Sequence, residues 1–183
     1  MRGETNEAKL DRFMRALGSR VRGEGTVYLT GGATAVLHHW RESTIDVDLK
    51  ADPEPSGFFE AIAELKDQLD VNVELASPDQ FIPPVPGWRE RSLFIAQYGH
   101  LTFLHYDPYG QALAKLQRGH DRDLRDARSF VRERLVDPGR LRTAFEEIEP
   151  SLIRYPALDP ASFRAAVTAF CDSVERGGFA DDA

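Results

Sequence analysis

Two aspartates stand two positions apart in an apolar, β-branched segment that reads Ser-Thr-Ile-Asp-Val-Asp-Leu. They are Asp46 and Asp48. In a strand, alternate side chains lie on one face about 7 Å apart, so the two charges repel each other and weaken the sheet. A bound cation would offset that repulsion. Mg²⁺, or Mn²⁺ in its place, is the first candidate, because Mg²⁺ takes one or two carboxylates and completes its shell with phosphate oxygens and water.

A pair of glycines, Gly31-Gly32, precedes the acidic segment and follows a short predicted strand. Glycines at the start of a helix let backbone amides approach a ligand closely, and a helix N-terminus favours anions. Together with Asp46 and Asp48, the glycines predict a site for phosphate and metal. Two ions there could hold an attacking oxygen and a leaving pyrophosphate in line. The alternative is an exposed strand edge, where charge discourages aggregation.

The elements that must position these residues alternate between helix and strand. Apolar periodicity predicts an α/β (α+β) fold with C-terminal helices. The predicted helices are 5–22 (with Thr5 as its cap), 33–40 and 58–69, and the predicted strands are 26–30, 43–50, 71–75 and a hairpin of 92–97 with 101–106.

A proline-rich stretch, 77–90, interrupts this alternation and predicts a long ordered loop, such as a lid or the wall of a cleft. Beyond it the chain is helical. Three helices begin with Asp-Pro, at Asp107, Asp137 and Asp159, because Asp caps free amides and Pro suits the first helical position. Since Asn caps nearly as well, Asp107→Asn is expected to have little effect.

The composition is that of a globular protein, with 183 residues, 42% apolar and 29% charged. No apolar run is long enough to span a membrane, and the single cysteine, Cys171, fits a reducing cytoplasm. A net charge of −7 argues against broad nucleic-acid contacts. Familiar phosphate-loop, dinucleotide, hydrolase and zinc motifs are absent.

One region departs from the acidic average. Residues 115–142 contain nine basic and five acidic residues. Arginine forks suit phosphate, although a solvated helical face gives the same pattern. Lys115, Arg118 and Arg122 have helical spacing and could share a face. Gly119 could instead break that helix, and Arg122 could pair with Asp126 four residues later.

The run LTGGATAVLHHWRESTIDVDLK resembles the nucleotidyltransferase fold of the DNA polymerase β superfamily, and is most similar to its AbiEii-type branch. That branch includes toxin components of toxin–antitoxin pairs. The resemblance covers residues 28–128 and includes a later Lys-Leu, Arg, Arg-Asp-x-x-Asp pattern. It implies a mixed sheet flanked by helices. With the helical pattern that follows, the sequence predicts a nucleotidyltransferase-like core at 1–134 and a helical extension at 135–183 packed on that core.

The resemblance also implies roles. Asp46 and Asp48 would hold the metal, with Glu74 as a third acid on the strand after the next helix. Many relatives carry Ser where this chain has Gly32. Lys115 and Asp123 would complete the catalytic set, with Asp126 as the alternative to Asp123. The implied nucleotide contacts are Gly31, Gly32, Arg41, Ser43, Lys115, Arg118 and Arg122.

The predicted reaction is transfer of a nucleoside monophosphate from an NTP to a hydroxyl, with an RNA 3′ end as one acceptor and a cognate antitoxin as one protein partner. Asp46 and Asp48 would position Mg²⁺ or Mn²⁺. Two alternatives stay open. The first is an inactive nucleotide-binding or regulatory module on the same fold, and the second is an active toxin held by its partner. The oligomeric state is not predicted.

Overall fold

The computed structural model describes residues 3–177. In this range the chain forms a mixed α/β fold with eight helices, one five-stranded sheet and one two-stranded sheet, which confirms the predicted fold class. No helix in the range is both long enough and apolar enough to cross a membrane. The strands are β1 (Thr5–Asn6), β2 (Gly25–Thr30), β3 (Ser43–Thr44), β4 (Asp46–Ala51), β5 (Asn72–Glu74), β6 (Leu93–Tyr98) and β7 (Leu101–His105). The helices are α1 (Glu7–Arg20), α2 (Gly31–Leu37), α3 (Phe58–Gln68), α4 (Trp88–Arg91), α5 (Pro108–Arg118), α6 (Asp121–Arg132), α7 (Pro138–Ile148) and α8 (Pro160–Glu175).

The chain divides into two compact units. The sheet unit comprises Met1–Ser77 and Ser92–Tyr106, and the helical unit comprises Pro78–Arg91 and Asp107–Ala183. The division into 1–134 and 135–183 remains a prediction, because compactness does not test which part folds by itself. Residues 178–183 of that predicted extension lie outside the described range.

The five-stranded sheet has the order β5-β4-β2-β7-β6. Strands β2 and β7 are parallel, as are β4 and β5, whereas β2 with β4 and β6 with β7 run antiparallel. Within β4, as in any strand, alternate side chains point to opposite faces of the sheet. Val47 and Leu49 are fully buried, and Asp46 and Asp48 lie on the other face.

The apolar face of the sheet packs against α1 and α3. Helix α1 contributes the predicted stripe of Leu10, Phe13, Met14 and Leu17, all of which are buried. Val21, just beyond the helix, is buried in the same core. The cap of α1 differs from the prediction, because the side chain of Asn6 accepts from the Lys9 amide. Thr5 pairs with Thr44 in the two-stranded sheet instead.

The predicted strand 43–50 is interrupted. Ser43–Thr44 pairs antiparallel with β1, whereas β4 begins at Asp46 and joins the large sheet. Ile45, between the two strands, is 52% exposed. The acidic segment thus leaves one sheet and enters another within a single residue, a change that apolar periodicity does not reveal.

The helical unit is organised by its caps. Asp107, Asp137 and Asp159 accept from the amides of Tyr109 and Gly110, Arg140, and Ser162 respectively, which confirms the three predicted helix starts. The predicted loop 77–90 contains a 3₁₀ turn at Pro78–Gln80, and α4 begins at its end. Ile82, Val85 and Trp88 of this stretch are buried, so it is a packed segment.

Candidate functional site

The strand register brings the predicted acids and their neighbours together on the polar face of the sheet. Asp48 pairs with Thr30 of β2 on one side and with Glu74 of β5 on the other, and Asp46 pairs with Asn72. Partners in register point to the same face, at the usual strand spacing of about 4.8 Å between backbones. Glu74 therefore lies beside Asp48, as the chain order predicted.

Asp46 is held by a neighbouring amide. The Asn72 side chain donates from Nδ2 to Asp46 Oδ1 at 2.5 Å. This contact orients the carboxylate and places a partial positive charge against it. Asn72 therefore offsets part of the repulsion that the two aspartates create on one face.

Gly31 is shaped to fit against Asp48. Its φ of +59° lies in the left-handed region, where side chains are strained, and a Cβ built there would sit 2.5 Å from Asp48 Oδ2. Any residue larger than glycine would push this carboxylate away. The glycine thus couples the turn after β2 to the acid on β4.

Gly32 makes a second close approach, to Thr44. A Cβ at Gly32 would overlap the Thr44 hydroxyl, and that hydroxyl donates to the Asp46 carbonyl at 3.0 Å. Thr44 therefore links the glycine turn to the backbone of the first aspartate. Thr44 is not among the predicted site residues. Its contact with Gly32 depends on the break at Ile45, which the period of two does not reveal.

The helix that begins at Gly31 has only seven residues. Its dipole is correspondingly weak, because the macrodipole is a sum over aligned peptide units. The close approaches to Asp48 and Thr44 give each glycine a structural reason, and the predicted contact of Gly31 and Gly32 with a nucleotide remains a prediction.

Arg41 and Ser43 lie on a neighbouring part of the sheet unit. The Ser43 hydroxyl donates to Glu4 Oε2 at 2.5 Å, in the segment just before β1. Arg41 lines a cavity of about 260 Å³ whose wall also includes Glu7, His39 and Trp40. Their predicted contact with a nucleotide remains a prediction.

A stack of aromatic rings lies at the end of α2. The His38 ring stacks on Trp40 and on His105, with centroids 4.9 and 4.4 Å apart. Nδ1 of His105 lies 3.2 Å from the Thr34 hydroxyl. Burial, with a smaller contribution from His38, lowers the pKa of His105 to about 3. His105 is therefore neutral at physiological pH.

In the helical unit, the predicted Lys115, Asp123 and Asp126 form one buried ionic cluster. Lys115 Nζ lies 2.5 Å from Asp126 Oδ2 and 3.6 Å from Asp123 Oδ1. Arg118 donates to the same Asp123 oxygen at 2.6 Å. The three innermost side chains are 4–9% exposed. Buried charges persist when they are paired, so each carboxylate here stabilises the lysine and is stabilised by it.

The alternatives for the basic segment are resolved by the fold of α5 and α6. Gly119 ends α5 with a φ of +70°, so the break predicted there is confirmed. Asp126 pairs with Lys115 and Arg122 is exposed, so the alternative pairing of Arg122 with Asp126 is not formed within residues 3–177. The shared face of Lys115, Arg118 and Arg122 is not formed, because Gly119 separates Arg122 from the other two.

A comparison with protein families decides the wider relationship. The model of a family described as "Nucleotidyltransferase of unknown function (DUF6036)" matches residues 8–176. The chain belongs to this family. The match covers both compact units and supports a nucleotide as substrate. It does not extend to the AbiEii-type branch. No curated protein and no solved structure matches the chain.

Members of a nucleotidyltransferase family are expected to use a divalent cation, and the donor set can be tested for fit. Asp46 and Asp48 supply two carboxylates on one face, which suits Mg²⁺. Among residues 3–177, no group of three or more His, Cys, Asp or Glu side chains is arranged to hold a metal. Mg²⁺ does not need such a group, because substrate phosphates and water complete its shell. Glu74 is exposed, and its role as a third ligand remains a prediction.

Proposed function

We propose that this member of the family is a metal-dependent nucleotidyltransferase that moves a nucleoside monophosphate from an NTP to a hydroxyl acceptor. The observation that carries the proposal is the contact between Gly31 and the Asp48 carboxylate, with Asp46 on the same face of β4. Two neighbouring carboxylates on one strand are costly, and a cation brought by a triphosphate would offset that cost.

The proposed reaction is a substitution at phosphorus and needs no oxidant or reductant. The acceptor hydroxyl oxygen forms a bond to the α-phosphorus, the bond from that phosphorus to the pyrophosphate oxygen breaks, and the hydroxyl proton passes to water or a nearby carboxylate. Mg²⁺ or Mn²⁺, when bound by Asp46 and Asp48, would neutralise charge on the triphosphate and lower the pKa of the acceptor hydroxyl.

The residues of the chain contribute position and charge. Asn72 and Thr44 fix Asp46 through its side chain and its carbonyl, and Gly31 leaves room for Asp48. Side chains held in this way need little rearrangement when the substrate arrives, which is the main source of rate in phosphoryl transfer. Glu74 is proposed as a further ligand or base from the neighbouring strand.

The finer parts of the proposal rest on the resemblance of the Gly31-to-Asp48 segment to the AbiEii-type branch. They are an RNA 3′ end as acceptor, a toxin-like role with an antitoxin partner, a cytoplasmic location, and participation of Lys115 and Asp123 in catalysis. The buried pairing of Lys115 favours a supporting role, because its ammonium group is already engaged by two carboxylates.

The test is transfer of label from each α-³²P NTP to total RNA or to a protein extract, with Mg²⁺ present. Label on RNA is expected from the parent chain, and its loss is expected from Asp46→Asn/Asp48→Asn. The control is Glu54→Gln/Glu60→Gln, which removes two negative charges from exposed positions of the same unit. Label found only on protein would overturn the RNA acceptor. No label on either would favour the inactive nucleotide-binding module.

A further inference from the structure

In helix α6, two acidic residues are buried and three basic residues are exposed. Asp123 and Asp126 face inward, where Lys115 and Arg118 pair with them. Arg122, Arg125 and Arg132 are exposed on the outside. Two exposed acids, Asp121 and Glu133, stand only at the ends of this surface. The middle of the outer face therefore carries positive charge alone.

The three exposed arginines lie on one side of α6 and are called here the arginine stripe (Arg122, Arg125 and Arg132). With 3.6 residues per turn, positions 125 and 132 fall within about 80° of position 122 around the helix. At 1.5 Å per residue, the stripe is about 15 Å long. A row of this length can contact several consecutive charges of an extended partner.

The arginines of the stripe are weakly engaged within the chain. Across residues 3–177, Arg122 and Arg125 have no carboxylate partner. Arg132 lies 3.6 Å from Glu133, with both side chains at least half exposed, and donates to the Ser129 hydroxyl at 3.2 Å. By contrast, Arg142 binds Asp172 and Glu175 on α8. Because the chain has seven more acidic than basic residues, unpaired arginines on one helix do not reflect a shortage of acids.

The chemistry of the stripe favours a phosphate backbone over a protein surface. Protein interfaces depend on buried aromatic and aliphatic anchors. The large exposed apolar residues of the described range, which include Phe94 and Ile153, all lie outside α6. Planar guanidinium groups with forked donors match phosphate geometry.

We propose that the arginine stripe binds the phosphodiester backbone of a single-stranded nucleic acid, which under the proposed function is the RNA acceptor. The inference rests on that proposed function only for the choice of RNA. Binding through backbone phosphates is independent of base sequence and depends steeply on salt. The stripe therefore holds the strand and does not select its bases.

The experiment measures binding of a fluorescent 20-nucleotide RNA to the full chain by anisotropy, without NTP, over a series of salt concentrations. Arg122→Gln/Arg125→Gln is expected to weaken binding about tenfold and to make the slope of log K against log salt shallower by about 1.4. The matched control is Arg12→Gln/Arg22→Gln, which removes two exposed arginines from the sheet unit and should bind like the parent.

A DNA oligonucleotide of the same sequence identifies the source of the phosphates. Equal affinity for the RNA and the DNA supports the contact with backbone phosphates but not the preference for RNA. Higher affinity for the RNA supports the contact and the preference. Absence of RNA binding by the parent chain, or an equal loss in the two variant pairs, would overturn the proposal. Retained RNA binding without nucleotide transfer would count against the proposed function alone.

Discussion

At the scale of single residues, the candidate site depends on close approaches between the glycine turn and the acidic segment. A methyl group at Gly32 would overlap the Thr44 side chain, and Thr44 donates in turn to the Asp46 carbonyl. The Thr44 hydroxyl lies directly against this glycine. The two positions should therefore behave as one unit.

Gly32→Ser is expected to destabilise the chain by about 1–3 kcal/mol, the usual cost of overpacking. Thr44→Gly removes the overlapping side chain, so the double variant should recover part of this loss. Urea unfolding of the parent, the two single variants and the double variant gives the coupling free energy between positions 32 and 44. We expect it to be about 1–2 kcal/mol. Additive effects of the two substitutions would show that residues 32 and 44 do not share the space described.

The buried His105 predicts a pH dependence of stability. Its native pKa of about 3 lies below the ordinary 6.5, so between these values the unfolded chain binds the extra proton. The contribution of His105 to the free energy of unfolding is therefore fully present above pH 6.5, and it is lost as the pH decreases towards 3. At pH 5 the loss is about 2 kcal/mol.

Denaturant unfolding between pH 5 and 7 measures this effect. His105→Gln should flatten the pH dependence of the unfolding free energy, although it lowers stability at neutral pH by removing the ring stack. His100→Gln, at an exposed position, is the control and should keep the parent slope. An unchanged slope in His105→Gln would mean that this histidine is not the titrating group.

At the scale of elements, the three Asp-Pro helix starts look alike in sequence and differ in structure. Asp107 is fully buried, and Arg91 donates to both of its carboxylate oxygens at 2.9 and 2.8 Å. Arg91 also donates to the Pro86 carbonyl, so it ties the proline-rich segment to the start of α5. Asp137 and Asp159 are exposed caps.

The expectation that Asp107→Asn has little effect is therefore revised. The variant keeps the cap but removes the charge that faces Arg91. We expect a loss of about 2 kcal/mol in unfolding free energy, below the range for fully buried pairs because the Arg91 side chain is 35% exposed. Asp137→Asn and Asp159→Asn should each change stability by only a few tenths of a kcal/mol. Equal effects at all three caps would contradict this account.

At the scale of the whole molecule, the periodic elements were predictable and the contacts between distant segments were not. The alternation of Asp46 and Asp48 with Val47 and Leu49 specified which face of β4 is polar. The break at Ile45 was missed, because pairing with residues 5–6 depends on a strand 38 residues away along the chain. Long-range pairing of this kind has no local signal.

The same limit applied to charged residues. The spacing of Lys115, Arg118 and Arg122 predicts a shared group of phosphate ligands. In the fold, Lys115 is buried between two aspartates of α6, whereas Arg122 is exposed. Spacing indicates which residues can share a face within one helix. It does not show which face of the next helix meets it, so the buried cluster could not be predicted.

The proposed function requires Asp46 and Asp48 to hold a divalent cation for a bound NTP. Thermal unfolding with each NTP, in the presence of Mg²⁺ or of EDTA, measures whether they do. At an NTP concentration one hundred times Kd, binding raises the free energy of unfolding by about 2.7 kcal/mol. For a chain of this size, Tm rises by roughly 5–10 °C. We predict this shift for the parent chain and for Glu54→Gln/Glu60→Gln with Mg²⁺, and its loss in EDTA or in Asp46→Asn/Asp48→Asn. An equal, metal-dependent shift in the double aspartate variant would contradict the claim and locate the site elsewhere.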